Sequence, residues 1–401
     1  MLTGFISIKV VSILIGPSGI ALVGQLNSFA TIVMNLATGG INSGVTKYIA
    51  EDHEDPQKIS LYLSSSLKIT LFCSFIVGLI ILSLHQFLSN IIMQSPDYGY
   101  VFIILGVTIV FFGINNLMFS IINGFKKFKI FVKISIANSL AGLVFSVTLI
   151  YFWGLQGALI SAVTFQSVML LISLWMVRKE FWMSIQYFKS KLDMETTKKF
   201  AQFSLMAFVS MATIPVSQLI LRGYIISNIS AVEAGWWEGM NRISGMYLMV
   251  VTSSFSVYYL PRLSELKENH EIRHEIFKAY KVVLPVLFVG FAIIYLLRIL
   301  VIKILFTPEF YPMQQLFIWQ LAGDFFKISC WLLAFLMVAK SMTKTYIVTE
   351  ILSVLLFIGL SFVMMHYNGI VGITQAYMFC FIIFNIIMLI IFRRLIFNLK
   401  S

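Results

Sequence analysis

The chain has 401 residues, of which 59% are hydrophobic and only 11% charged, and 29 Lys and Arg against 17 Asp and Glu give it a net charge of +12. Soluble domains carry roughly a quarter charged residues, so this composition excludes a soluble fold. Long apolar runs recur from one end to the other, which also excludes a soluble domain held by a single anchor.

Apolar runs bounded by charge, Pro or Gly predict spans at about 1–15, 20–41, 67–84, 100–122, 131–152 and 157–177. A second six are predicted at about 201–222, 240–260, 282–305, 314–338, 345–365 and 371–392. The expected fold is an all-α integral membrane protein of about twelve transmembrane helices. It divides into an N-terminal lobe over 1–190 and a C-terminal lobe over 191–401.

Basic residues sort by side. The segments after every second span hold Lys47 and Lys58, then Lys126, Lys127, Lys129 and Lys133, then Arg178, Lys179, Lys189, Lys191, Lys198 and Lys199. Arg262, Lys267, Arg273, Lys278 and Lys281 follow, then Lys340 and Lys344, then Arg393, Arg394 and Lys400, which makes 22 of the 29. The turns after the odd spans hold none, so these loops and both termini are expected in the cytoplasm. Because the positive charge is spread over short loops and forms no single patch, no nucleic-acid partner is expected.

The sequence repeats weakly at an offset of 212 to 215 residues. Val45 opens VTKYIAEDHEDPQKI and Val257 opens VYYLPRLSELKENHEI, each leaving a span into a charged segment. Gly154 and Gly157 flank the turn before the sixth span, and Gly369 and Gly372 do the same before the twelfth. Two six-helix halves in the same orientation follow, and transporters commonly bind substrate between such halves. By this repeat the counterpart of the seventh span would begin about a dozen residues before Met1, so the first span reads as shortened.

Polar residues inside spans are the candidate site. Ser28, Thr31, Asn35, Thr38 and Asn42, extended by Gln25, recur at steps of three and four, which predicts one helix face. Asn116, Ser120 and Asn123 form a similar line in the fourth span, and Ser210, Thr213 and Ser217 in the seventh, where Pro215 predicts a kink. Small hydroxyl residues at such spacing often only join helices, whereas the asparagines point to a wetted wall.

Ionisable groups within spans each cost a few kcal/mol or more and are functional candidates by default. Asp324 and Lys327 lie three residues apart in the tenth span and are expected to form an ion pair. Lys9, Arg222 and Arg242 predict a cationic outer half of the cavity, while Arg298 and Lys303 are expected to snorkel to the outer surface. Glu350 is expected to pair with Lys344 or Lys340, and Trp153, Trp236, Trp237 and Trp319 to anchor at the interface.

Cys73, Cys330 and Cys380 sit in apolar runs without CxxC or His spacing, so no metal, redox pair or cofactor is expected. The longest outer loop is expected over 223–239, too small for the acceptor-holding region of a membrane glycosyltransferase or polymerase. With no phosphate-cradling loop and no triad spacing, an enzyme is not expected.

Several stretches carry a resemblance: GPSG after the first span, NSGVTKYIAEDHEDPQKI after the second, and SSFSVYYLPRLSEL leaving the eighth. WQLAGDFFK in the tenth, VAKSMTKTYIVTEI entering the eleventh and TQAYM in the twelfth complete it. Together they resemble the Wzx-type polysaccharide flippases of the multidrug/oligosaccharidyl-lipid/polysaccharide superfamily. The similarity is strongest to the branch that carries the lipid-linked trisaccharide of enterobacterial common antigen, and looser to O-antigen flippases. It implies two lobes forming a V around a central cavity, and a substrate of undecaprenyl diphosphate bearing a short oligosaccharide. It also implies the inner membrane of a Gram-negative bacterium, and contact with membrane lipids and with polysaccharide polymerase and chain-length machinery. Lys9, Asn42, Lys47, Tyr48, Asp324 and Lys327 fall on motif positions of the family.

On this reading Asn35, Asn42, Asn116 and Asn123 meet sugar hydroxyls, Lys9, Arg222 and Arg242 meet phosphate, and Asp324 and Lys327 couple or gate transport by alternating access. A cation-coupled multidrug exporter of the same superfamily, with Asp324 as the coupling carboxylate, remains the alternative. A membrane glycosyltransferase or polymerase is the third.

Overall fold

The structure is a computed structural model that describes residues 2–190, 193–340 and 342–396; for 2–5, 199 and 201–211 it describes the backbone alone. Of the expected basic loop residues, Lys191 and Lys400 therefore lie outside the described residues, as does the side chain of Lys199; so does that of Ser210 in the expected seventh span. The described residues are helical, with no strand among them. In chain order the first helices are α1 Leu2–Ala37, α2 Asn42–Glu51, α3 Pro56–Ser83, α4 Gly99–Gly124, α5 Phe128–Val177 and α6 Met194–Asn228. The rest are α7 Ala231–Ser254, α8 Asn269–Leu296, α9 Arg298–Leu305, α10 Phe317–Ala339, α11 Thr343–Asn368 and α12 Val371–Ile391. A π-helical turn over Phe255–Tyr259 and a short helix over Leu260–Glu265 continue α7.

Among the described residues, nine stretches are long and apolar enough to cross a membrane by length and composition. Two of them contain a break. Gly16 interrupts α1 and Gly154 interrupts α5, each at positive φ, so the continuous run holds two helical pieces.

Packing divides the chain into two units. One consists of residues 2–15 and 22–220, the other of 16–21 and the chain from Leu221 onward. This division follows packing, whereas the expected boundary at 190 and 191 follows the topological repeat. In the first unit α2 lies on a core of Ile41, Val45, Ile49, Ile59, Tyr62, Leu63, Leu117, Met118, Ile121 and Ile122. The charged segment after α2 is built by its own residues. Asp55 caps α3 by accepting from the backbone N–H groups of Gln57 and Lys58, Pro56 occupies the first turn, and Asp52 accepts from Tyr62 Oη at 2.7 Å.

The repeated glycines make the same hairpin twice. Gly154 and Gly369 adopt φ of 52° and 53°, a left-handed conformation open mainly to glycine. Three residues later, a Cβ on Gly157 would stand 2.0 Å from the carbonyl oxygen of Leu149, and one on Gly372 would stand 2.3 Å from that of Met364. Only glycine lets the returning helix approach this closely.

Three expectations are corrected by the helices. The loop over 223–239 does not exist as such: α6 runs to Asn228 and α7 starts at Ala231. Hydropathy falls there because Arg222, Glu233, Glu238 and Arg242 are polar, yet the backbone stays helical apart from a short turn, and Glu238 pairs with both arginines. Asn42 does not continue the face of Asn35, because α1 ends at Ala37 and Gly39 and Gly40, at φ of 66° and 64°, redirect the chain before α2. Trp237 is not an interface anchor; it is 3% exposed and its ring lies 5.5 Å from the Arg222 guanidinium.

Candidate functional site

The second unit holds a carboxylate at mid-helix. Asp324 is fully buried in α10, where an unsolvated charge costs several kcal/mol unless hydrogen-bonded. Four donors surround it. Its Oδ2 accepts from Ser244 Oγ at 2.7 Å, from Tyr247 Oη at 2.5 Å and from Gln320 Nε2 at 3.4 Å, while Oδ1 accepts from Tyr377 Oη at 2.8 Å. Ser244 and Tyr247 lie three residues apart on α7, and Gln320 lies one turn before Asp324, so helical periodicity aims them at one point. The close approach of α10 to α12 depends on Gly323, where a Cβ would stand 2.3 Å from the Tyr377 ring.

Lys327 follows one turn later on α10 and is half-buried. The expected ion pair with Asp324 is not formed. The ammonium instead stands 5.3 Å from the ring centres of Trp331, Tyr377 and Phe381, a three-sided aromatic cage. Such contacts contribute about 0.5–2 kcal/mol each and hold a cation without neutralising it. Glu350 on α11 interacts electrostatically with Lys327 and, contrary to expectation, makes no ion pair with Lys340 or Lys344. Lys340 Nζ donates to the carbonyl of Leu266. The arrangement places an acidic and a basic group one turn apart on α10, the carboxylate held by hydrogen-bond donors and the ammonium by aromatic rings.

A second charged group in this unit joins α6 and α7. Arg222, 1% exposed, donates to Glu238 Oε2 at 2.5 Å, and Arg242 donates through Nε to Glu238 Oε1 at 3.1 Å. Sequence reading picked out both arginines and missed Glu238, whose carboxylate takes up one of their two charges. The i, i+4 spacing of Glu238 and Arg242 was the available signal.

The remaining expected residues belong to the first unit. Asn35, Asn42, Asn116, Asn123 and Lys9 are each half-buried. Asn42 Oδ1 is buried without a hydrogen-bond partner. The accompanying hydroxyls are satisfied locally: Ser28 donates to the Gly24 carbonyl, Thr31 to Asn27, Thr38 to Asn35, Ser120 to Asn116 and Ser217 to Ile214. Gln25 donates to the Leu219 carbonyl, tying α1 to α6. These groups act as joints between or within helices. Asn115, which the sequence reading passed over, is buried and donates to the Gln166 carbonyl of α5. The three cysteines form no disulfide, and among the described residues no group of His, Cys, Asp and Glu is arranged to hold a metal.

The chain is 29% identical over 376 residues to proteins named lipid III flippase from Escherichia coli (strain K12) and Shigella flexneri, covering 94% of this chain and 90% of each relative. Its fold is that of the lipid II flippase MurJ in an inward closed conformation, at TM-score 0.78 and 15% identity over 99% of this chain and 88% of that one. It is equally that of an inward-facing multidrug resistance MATE transporter, at TM-score 0.76 and 14% identity over 100% of this chain and 96% of that one. The apolar helices and these relatives make it a multi-pass membrane protein. A family model described as "Polysaccharide biosynthesis protein" matches residues 1–267, two thirds of the sequence, and the chain belongs to that family.

Proposed function

We propose that this protein is a flippase that moves a lipid-linked oligosaccharide across the membrane in which its helices lie. The observation that carries this reading is similarity to lipid III flippases along 94% of the chain, because likeness of that extent spans the whole path of a substrate and no isolated motif. A sugar and its diphosphate cannot cross hydrocarbon unaided, since each unpaired hydroxyl costs about 1–3 kcal/mol and a bare charge far more. The protein supplies a polar route for the head while the lipid tail stays in the bilayer.

In this reading Asn35, Asn42, Asn116 and Asn123 bind sugar hydroxyls, Lys9, Arg222 and Arg242 attract the diphosphate, and Asp324 and Lys327 gate or couple the movement. The termini and basic loops lie in the cytoplasm and the protein sits in the inner membrane, next to polysaccharide polymerase and chain-length machinery. An interior-negative potential favours outward movement of two negative charges by about 4–5 kcal/mol per 100 mV, from about 2.3 per charge. The protein makes and breaks no covalent bond of the substrate.

The shell of hydroxyls around Asp324 favours one other reading, a cation-coupled multidrug exporter. Expression in a strain lacking its lipid III flippase separates the two. Return of the surface glycan without altered drug tolerance supports the flippase, and altered drug tolerance without glycan supports the exporter.

A further inference from the structure

A cleft of about 330 Å³ opens between α8 and α10, lined by Phe288, Phe291, Tyr295, Ile318, Leu321 and Phe325 among others. It faces outward: Phe288 is 68% exposed and Ile318 49%. The cleft occupies the last two turns of α8, the end opposite to Arg273, Lys278 and Lys281. Arg298 contacts Tyr295, one of the lining residues. The guanidinium stacks on Tyr295 with 4.3 Å between charge centre and ring, and donates to the Tyr295 carbonyl at 2.8 Å. Among the described residues no carboxylate pairs with Arg298.

We infer that this cleft is a binding site for an anionic phospholipid, its acyl chain laid along the aromatic wall and its phosphate on Arg298. An apolar cleft on a membrane-spanning helix is filled by an acyl chain, and a guanidinium beside its wall favours a net-anionic headgroup over a zwitterionic one, whose ammonium it repels. A sugar-bearing lipid fits less well, since apart from Tyr295 the wall is Phe, Ile, Leu and Ala and offers a glycan no row of donors and acceptors. Snorkelling alone explains the depth of Arg298 but not its placement against a ring that forms the cleft wall. The occupant lies one aromatic layer from the buried carboxylate: Phe291 packs at 5.2 Å on Tyr247, which donates to Asp324. The inference is independent of what the protein transports.

Native mass spectrometry of the purified protein, titrated with phosphatidylglycerol, phosphatidylcholine or undecaprenyl phosphate, tests it. Wild type is expected to take one phosphatidylglycerol about 10-fold more tightly than phosphatidylcholine, because the choline ammonium offsets the attraction of the phosphate to Arg298. Arg298→Gln removes that preference, and Ala322→Trp, which fills the cleft, weakens both phospholipids; if the latter fails to fold, Arg298→Gln alone decides. An unchanged preference in Arg298→Gln overturns the site, and tighter binding of undecaprenyl phosphate than of phosphatidylglycerol overturns the occupant.

Discussion

Asp324 and Lys327 are one helical turn apart, yet the residue they share is Tyr377, whose hydroxyl donates to the Asp324 carboxylate at 2.8 Å while its ring stands 5.3 Å from the Lys327 ammonium. A single side chain from α12 thus serves both charges with two different parts of its structure.

Separate substitutions at Tyr377 divide those parts. Tyr377→Phe keeps the ring over Lys327 and removes one of four donors to Asp324, costing about 1–3 kcal/mol. Tyr377→Leu removes both and costs more. Thermal unfolding in detergent, with Ser244→Ala added to each, measures the coupling: Tyr377→Phe and Ser244→Ala act on one carboxylate and are expected to be non-additive.

Removing the carboxylate has a larger effect than removing any donor. Asp324→Ala strands Ser244, Tyr247 and Tyr377 without their acceptor, whereas Asp324→Asn retains one oxygen for them. Protein level and surface glycan are expected to fall in the order wild type, Asn, Ala. Full glycan from Asp324→Ala at normal protein level would remove this residue from the account.

Glu238 is the structural weak point of the arginine group. Glu238→Gln leaves Arg222, 1% exposed, without the carboxylate that faces it, and breaking a buried pair in this way costs about 3–5 kcal/mol. Arg242→Gln leaves the inner pair intact and is milder, because Arg242 is 21% exposed. Membrane yield of the two variants, compared by immunoblot, gives the ranking.

The two hairpins are expected to fail alike. Gly157→Ala and Gly372→Ala each drive a methyl into a backbone carbonyl, at 2.0 and 2.3 Å before relaxation, so both lower the unfolding temperature. Gly290→Ala meets nothing within 4 Å and is the matched control, expected to be neutral or stabilising by about 1 kcal/mol.

These hairpins were legible in the sequence because a glycine that must hold positive φ, followed by one that must admit a carbonyl, leaves the same spacing in both halves. Asp324 and Lys327 were legible as charges in an apolar helix, but their partners were not. Ser244, Tyr247 and Tyr377 lie 80, 77 and 53 residues from Asp324, and ordinary tyrosines in apolar runs carry no mark of what they will face. The junction of α6 and α7 is hidden from the sequence for a related reason. A hydropathy profile counts Arg222, Glu238 and Arg242 as three costs, whereas folding brings them together as one group. Asn42 was placed on the wrong face because periodicity ran past Gly39 and Gly40, where the helix stops.

Transport itself is measured with the purified protein in sealed vesicles that contain a polyprenyl-diphosphate-linked trisaccharide, with a membrane-impermeant glycosidase outside. The protected inner-leaflet pool is expected to become cleavable in the presence of wild-type protein, and much more slowly with Asp324→Ala. If the inner pool stays protected while the protein is folded and correctly inserted, the chain does not move lipid-linked oligosaccharide, and the flippase account is contradicted.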